Sequence, residues 1–170
     1  MPFWFLGCCS SAQQSPSDGG GDPGPSSGSY SAFNTGVSVV DGLDQAWTLD
    51  HSDAAVVPPA KLLFWQTPFA GSKWIAMNND MTSDENTLHS YSTTLSVSST
   101  DGLSIRASVL ADNTISDILV NGVSTGLNGS DFVTPATFEL PVELFTEGSN
   151  TVEFVVSDIG GWTGFCCKWL

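Results

Sequence analysis

Two neighbouring runs in the middle of the chain alternate between apolar and polar side chains. One face of the first run would carry Tyr91, Thr93, Leu95 and Val97, and one face of the second run would carry Leu103, Ile105, Ala107 and Val109. Successive side chains of a strand point to opposite faces of a sheet, so each run predicts a strand with one buried and one solvated face. Asp101-Gly102 predicts the tight turn between them.

The rest of the chain after residue 34 consists of short β-branched or aromatic runs separated by Gly, Asn, Asp and Pro. Asn121-Gly122 readily adopts the two positive φ angles of a type I′ turn, so it predicts a hairpin in which Val123 begins the returning strand. Pro58-Pro59 excludes a strand at that point. These features predict an all-β sandwich or barrel of about eight or nine strands, with further strands at residues 46–49, 62–65, 73–77, 115–120, 137–142, 151–156 and 165–170.

The first 33 residues differ in composition from the rest. Residues 1–9 are mostly apolar and include Phe3, Trp4, Phe5 and Leu6, whereas fourteen of the seventeen residues from 15 to 31 are Ser, Gly or Pro. The second segment cannot repay the entropy cost of ordering, so it predicts a linker with an r.m.s. reach on the order of 25 Å. The sequence thus predicts an apolar anchor peptide at 1–9, a flexible linker at 10–33 and a folded domain at 34–170.

The chain is strongly acidic. Its 170 residues include 18 Asp and Glu but only 4 Lys and Arg, which gives a formal net charge of −14. Contacts with phosphate groups need clustered Lys and Arg, so a nucleic acid or an anionic membrane is not an expected partner. No stretch approaches the roughly 20 apolar residues that cross a bilayer, so a membrane-spanning protein is not expected either.

Several local phrases occur together in residues 34–170. The most specific is Ala111-Asp112-Asn113 followed by residues 117–126, and the others are Asn34-Thr35-Gly36-Val37, Trp47-Thr48-Leu49, Ser72-Lys73-Trp74-Ile75, Asn150-Thr151-Val152 and Thr163-Gly164-Phe165. Together they resemble the galactose-binding-like β-sandwich domains of bacterial exported and cell-surface proteins. The resemblance implies an antiparallel jelly roll of two sheets, a scaffold used for glycan binding, for accessory domains of glycosidases and for assembly contacts.

Exposed aromatic rings that stack on sugars are what the resemblance implies for a glycan site. Trp47 and Trp74 lie within predicted strands and are expected in the core. Trp65, at the end of a predicted strand, and Trp162, in a Gly-Gly-Trp-Thr-Gly loop, are the candidate stacking residues. Alternatively, these two rings cover the ends of the sandwich.

Acidic side chains between residues 78 and 86 form a candidate Ca²⁺ site. Asp80, Asp84 and Glu85 lie in one predicted loop, and hard cations prefer oxygen ligands. Their spacing is not that of an EF-hand, and a solvated loop is the alternative. No other cofactor is expected.

The four cysteines form two adjacent pairs, Cys8-Cys9 and Cys166-Cys167. Neighbouring residues of a strand point to opposite faces, so Cys167 is predicted to be buried and Cys166 to face outward. Adjacent cysteines do not match the spacing of zinc ligands. The thiols are either reduced, or Cys8 or Cys9 forms a disulfide with Cys166 within or between chains.

The sequence does not predict an enzyme. His51 and His89 are the two histidines, and neither a nucleophile elbow nor a phosphate-binding loop occurs. Asn128-Gly129-Ser130 matches a glycosylation acceptor, a pattern that is common by chance.

Two functions are therefore expected. The first is a non-enzymatic structural protein displayed on the surface of a particle such as a phage virion. It would be docked through Phe3, Trp4, Phe5 and Leu6, with other structural proteins and further copies of the chain as partners. Burying each such side chain is worth roughly 1.5–3 kcal/mol. The alternative is a carbohydrate-binding module for cell-surface glycans, and a third reading is a bacterial lipoprotein anchored through Cys8.

Overall fold

The protein folds into an all-β domain. A computed structural model describes residues 28–58, 64–78 and 80–170. In these residues the secondary structure consists of antiparallel strands and one 3₁₀ turn at Val142–Leu144. The strands are β1 (Tyr30–Ser31), β2 (Val39–Val40), β3 (Leu43–Leu49), β4 (Ser52–Val56), β5 (Ile75–Ala76), β6 (Thr82–Ser83), β7 (Thr87–Val97), β8 (Ile105–Asp112), β9 (Thr114–Val120), β10 (Val123–Ser124), β11 (Ala136–Leu140), β12 (Gly148–Asp158), β13 (Gly161–Trp162) and β14 (Gly164–Trp169).

Most of the strands belong to one sheet. Its order is β10-β9-β12-β7-β3-β4-β5-β14-β8-β11, with β1 paired to β7 and β2 paired to β3. The longest ladder joins β7 to β12 and runs from Thr87↔Asp158 to Val97↔Gly148. β6 and β13 form a separate two-stranded sheet.

The large sheet folds back so that its two halves face each other. Trp47 on β3 lies 5.4 Å, between ring centroids, from Phe165 on β14, although two strands separate them in the sheet order. Tyr91 on β7 and Phe154 on β12 each lie 5.0 Å from the same Phe165 ring. These four rings are fully buried. The result is a sandwich-like arrangement with an aromatic core, in agreement with the predicted all-β fold.

β14 is covered by apolar side chains on both faces. Phe165, Cys167 and Trp169 point into the aromatic core, and Cys166 points to the opposite side, as the alternation predicts. The prediction that Cys166 faces outward is nevertheless wrong, because Cys166 has 0% exposure. A second apolar cluster covers that side of the strand and consists of Val57, Trp65, Trp74, Ala76, Met81, Leu110 and Cys166.

Most of the predicted strands recur in the structure, some with shifted ends, and two differ clearly. Residues 64 and 65, the described part of the segment 62–65, form a bend instead of a strand, and the segment 73–77 is reduced to Ile75–Ala76. The Asn121-Gly122 hairpin is confirmed, with φ of 51° and 78° at the two residues and Val123 paired to Val120. Local signals therefore predicted the long strands and the tight turn, whereas a tertiary covering layer determines the region around Trp65.

The described chain begins beside the end of β7. Tyr30 of β1 pairs with Val97, its hydroxyl donates to the carbonyl oxygen of Leu170 at 2.7 Å, and its ring contacts Trp169 edge-on. The sheet thus includes Tyr30, which lies four residues before position 34, the predicted start of the folded domain. The predicted anchor peptide 1–9 and the first part of the predicted linker, 10–27, lie outside the described residues. We call this end of the domain, near Tyr30 and Val97, the arm end.

Candidate functional site

Two short strands form a flap at the end of the domain opposite the arm end. The flap consists of β6 and β13, which pair through Ser83↔Gly161 and Thr82↔Trp162. Directly opposed residues of an antiparallel pair project from the same face, so the side chains of Thr82 and Trp162 are neighbours. The flap lies where β7 begins and β12 ends, and we call this the flap end.

A buried carboxylate attaches the flap to β12. Asp158 has 0% exposure, and its two oxygens accept hydrogen bonds from the Ser83 hydroxyl and from the backbone N–H of Gly160. Gly160 has a φ of +120°, and a methyl group at this position would lie 2.6 Å from Cγ of Glu85. Glycine is required here because any other side chain would combine backbone strain with a steric clash.

Two exposed aromatic rings stack on each other at the flap. Trp162 is 37% exposed and Phe64 is 68% exposed. Their ring centroids lie 5.8 Å apart, and the rings are inclined by 26°. Aromatic side chains carry much of the binding energy at interfaces because they bury a large area with few rotatable bonds. The two rings cover each other in part, and the portions that stay exposed offer an apolar surface to a ligand.

A shallow pocket adjoins this aromatic pair. Its volume is about 350 Å³, and it is lined by Met77, Thr82, Ser83, Asp84, Thr87 and His89. Thr82 connects the pocket to the aromatic pair, since it also neighbours Trp162. Ligand sites typically combine aromatic surface with a few converging polar groups, and the flap end contains both.

Hydrogen bonds on both ring nitrogens fix the orientation of His89. Its Nδ1 lies 2.7 Å from Oδ2 of Asp50, and its Nε2 lies 3.0 Å from the Thr87 hydroxyl oxygen. The other oxygen of Asp50 accepts a hydrogen bond from the backbone N–H of Ser90 at 2.8 Å, which holds that carboxylate in place. The imidazole is 5% exposed. It is thus a rigid polar group in the wall of the pocket.

Trp65 is placed differently from Trp162, its predicted partner in stacking. It is 7% exposed, its ring centroid lies 4.3 Å from that of Trp74, and its indole N–H donates to Oδ2 of Asp112 at 2.7 Å. Burial raises the pKa of Asp112 to about 6; the bond from Trp65 opposes this shift and the charge of Asp158 adds to it. Of the two predicted rings, Trp162 is the one exposed to solvent.

The three predicted calcium ligands lie near the flap, but each makes a different contact. Asp84 lines the pocket, Glu85 packs against Gly160, and the backbone N–H of Asp80 donates to Oδ1 of Asn78. Across residues 28–58, 64–78 and 80–170, no group of three or more His, Cys, Asp or Glu side chains is arranged to hold a metal ion.

The remaining predicted sites concern the amino terminus and the cysteines. Phe3, Trp4, Phe5, Leu6, Cys8 and Cys9 lie outside the described residues. Cys166 and Cys167 are free thiols, and burial raises the pKa of both. The Cys166 sulfur lies 3.3 Å from the Ser72 hydroxyl, inside the second apolar cluster.

No candidate site predicted from the sequence includes Phe64, Asp50, Ser83 or Thr87. Phe64 falls in the predicted strand 62–65, and Asp50 is 39 residues away from His89 in the chain. The sequence of β7 does contain an indication of the site. Thr87, His89 and Tyr91 follow one another at a spacing of two residues, so all three lie on the inner face of the strand. Polar residues on an inner face at a strand end indicate a site at that end.

No family model, no curated protein and no solved structure matches the chain. In the described part of the chain, no helix has the length and apolar character needed to cross a bilayer.

Proposed function

We propose that the protein is a non-enzymatic glycan-binding module, with Trp162 and Phe64 as its stacking surface. The observation that carries this proposal is the pair of exposed, stacked rings beside a polar pocket. A sugar ring has an apolar face of C–H groups and an edge of hydroxyls, so it can contact both features at once. Asp84 would bind the hydroxyls, Ser83 and His89 would form the fixed wall of the pocket, and the rings would cover the C–H face.

The negative charge of the protein favours neutral glycans over acidic ones. The chain carries a net charge of −14, and Asp84 lies in the pocket wall. A uronic or sialic acid would be repelled by these carboxylates, since like charges at short range cost binding energy. The proposed ligands are therefore neutral sugars, and the acidic surface keeps the module from binding polyanions.

The proposal includes a jelly-roll topology. Of the strands in the described residues, eight contain five or more residues, namely β3, β4, β7, β8, β9, β11, β12 and β14. From β7 onward these long strands alternate between the two facing halves of the sheet, because β7, β9 and β12 lie in one half and β8, β11 and β14 in the other. Such crossing from layer to layer is the pattern expected of a jelly roll. It supports the resemblance to galactose-binding-like domains.

A second function is favoured by the positions of the two ends of the domain. The arm end lies at Val97, and the pocket lies at Thr87 and His89, so β7 separates them by about 33 Å. A domain attached at one end and open at the other is suited to display. We therefore propose display on the surface of a particle such as a virion, with the apolar segment 3–6 as the attachment.

The glycan proposal is tested with the full chain on a glycan array, followed by calorimetry with any neutral glycan that binds. Trp162→Ala and Phe64→Ala should each weaken binding by at least about tenfold, which corresponds to 1.4 kcal/mol. Phe33→Ala is the matched control, since Phe33 is 38% exposed and its carbonyl oxygen accepts hydrogen bonds from the indole N–H groups of Trp47 and Trp169, away from the flap. Unchanged binding by a folded double variant would overturn the site.

The display proposal is tested by replacing Phe3, Trp4, Phe5 and Leu6 together with Ser. Particles assembled with the natural protein should contain it after purification. Particles assembled with the four-Ser variant should lack the variant, although circular dichroism should show that the variant is folded. Equal incorporation of the two proteins would contradict attachment through this segment, whatever the glycan array shows.

A further inference from the structure

A second cavity lies on the arm-end side of the domain, between the ends of β10 and β11. Its volume is about 360 Å³. Its lining has an apolar part, Leu103, Leu127, Leu140, Pro141 and Val142, and a polar part, Ser104, Thr125, Glu139 and Glu143. We call this cavity the edge groove. Leu140 pairs with Ile105 at the start of β8, whereas Asp112 at the other end of β8 belongs to the flap end. The edge groove and the flap pocket are therefore separate sites.

The described chain begins at the rim of the edge groove. A methyl group placed on Gly28 would lie 2.9 Å from Cβ of Leu103, which lines the groove. The backbone N–H of Gly28 donates to the carbonyl oxygen of Asp101, two residues before Leu103. Gly28, at which the described residues begin, thus lies next to an apolar surface.

The preceding chain contains a segment whose composition suits this surface. Residues 3–6 are Phe-Trp-Phe-Leu, and they carry no charge. The residues between them and Gly28 are mostly Ser, Gly and Pro, and a coil of this length and composition reaches on the order of 25 Å. Because the groove adjoins Gly28, a segment on such a tether is present near it at millimolar effective concentration.

We propose that the edge groove binds the aromatic segment 3–6 of the same chain. That segment lies outside the described residues, and the assignment rests on the apolar wall of the groove and on the point where the described chain begins. The contact would cover an aromatic segment that is otherwise an aggregation hazard. The groove would keep segment 3–6 bound until the surface of a partner protein binds the segment in its place. This inference does not depend on glycan binding at the flap end.

Methyl NMR of the full chain tests the assignment directly. The spectrum is compared with that of a full-length variant in which Phe3, Trp4, Phe5 and Leu6 are all Ser. The methyl signals of Leu103, Leu127, Leu140 and Val142 should shift because they lose aromatic neighbours. Leu49 and Val156, in the buried core, should keep their positions.

A groove variant supplies the converse experiment. Val142 is 36% exposed, so Val142→Glu should fold normally and should release the segment, moving the Leu103 and Leu140 signals towards their values in the four-Ser variant. Val123→Glu is the matched control, because Val123 is 51% exposed and is not one of the residues that line the groove. Unshifted groove methyls in the four-Ser variant would overturn the assignment. Shifts that appear only as protein concentration rises would assign the groove to a second copy and also overturn it.

Discussion

The indole N–H of Trp65 donates to Oδ2 of Asp112 where both side chains are almost excluded from solvent. This bond joins the apolar cover of β14 to the end of β8. It also places a carboxyl group with a pKa of about 6 beside the buried Asp158. The titration of Asp112 therefore makes the stability of the fold depend on pH.

The first prediction concerns this pH dependence. The pKa of Asp112 is higher in the folded state than its ordinary value of 3.8, so the folded state binds the proton more tightly. The contribution of Asp112 to stability therefore falls as pH rises through the interval from about 4 to 6. Between pH 5 and 7.5 the natural protein should lose on the order of 1 kcal/mol relative to Asp112→Asn, whose amide oxygen still accepts the indole N–H. Urea unfolding at both pH values measures this, and a constant difference would contradict it.

The second prediction concerns Asn150, a buried side chain at the start of β12. Its Oδ1 accepts hydrogen bonds from the backbone N–H of Thr146 and from Nδ2 of Asn121, and its Nδ2 donates to the carbonyl oxygens of Thr146 and Gly148. Asn150→Ala should reduce the free energy of unfolding by about 1–3 kcal/mol, because a buried side chain that makes four hydrogen bonds is lost. Asn128→Ala, at an exposed asparagine, should change it by less than about 0.5 kcal/mol. Equal effects of the two changes would show that the Asn150 network is not stabilising.

The third prediction compares Gly160→Ala with Gly129→Ala, to separate the effect of backbone strain on stability from the effect of a steric clash near the flap on binding. Gly160 and Gly129 both have positive φ, +120° and +105°, but only Gly160 has a neighbour, Glu85, where a methyl group would be placed. Both Ala variants should lose stability through strain. Gly160→Ala alone should also weaken glycan binding, because the clash with Glu85 has to be relieved beside Trp162 and the pocket residue Asp84. Thermal unfolding and calorimetry give the two readouts, and equal binding by the two variants would refute the coupling.

The fourth prediction concerns the thiols of β14. Cys166 and Cys167 have 0% exposure and raised pKa values, so little thiolate is present and reagents cannot reach it. In a Cys8→Ser/Cys9→Ser variant, a disulfide-exchange reagent should react with these two thiols more slowly than with denatured protein, by on the order of 100-fold or more. Rapid reaction of either thiol in the folded protein would mean that β14 is more accessible than its packing implies.

The long strands could be predicted because their signal is local. The alternation around Tyr91 and Leu95 reflects the geometry of a single strand, and the Asn121-Gly122 turn depends on the φ preferences of two residues. Neither signal requires knowledge of what packs above the sheet.

Trp65 and Cys166 could not be placed in the same way. Alternation correctly separates Cys166 from Cys167, but it does not reveal that a second apolar cluster covers the outer face of β14. The contact between His89 and Asp50 joins residues that are far apart in the sequence, so no periodic pattern predicts it. Trp162 could be proposed as exposed because the glycines around it leave few side chains to cover the ring.

The ladder between β7 and β12 has a mechanical consequence. If the protein is held at the arm end and bound at the flap end, tension runs along these two strands. The backbone hydrogen bonds between them are perpendicular to the strands, so a load that pulls β7 and β12 in opposite directions along their length shears all eleven residue pairs together. A load across the sheet would instead open the pairs one after another, as in a zipper. The ladder is thus most resistant to force along the line that joins the two ends of the domain.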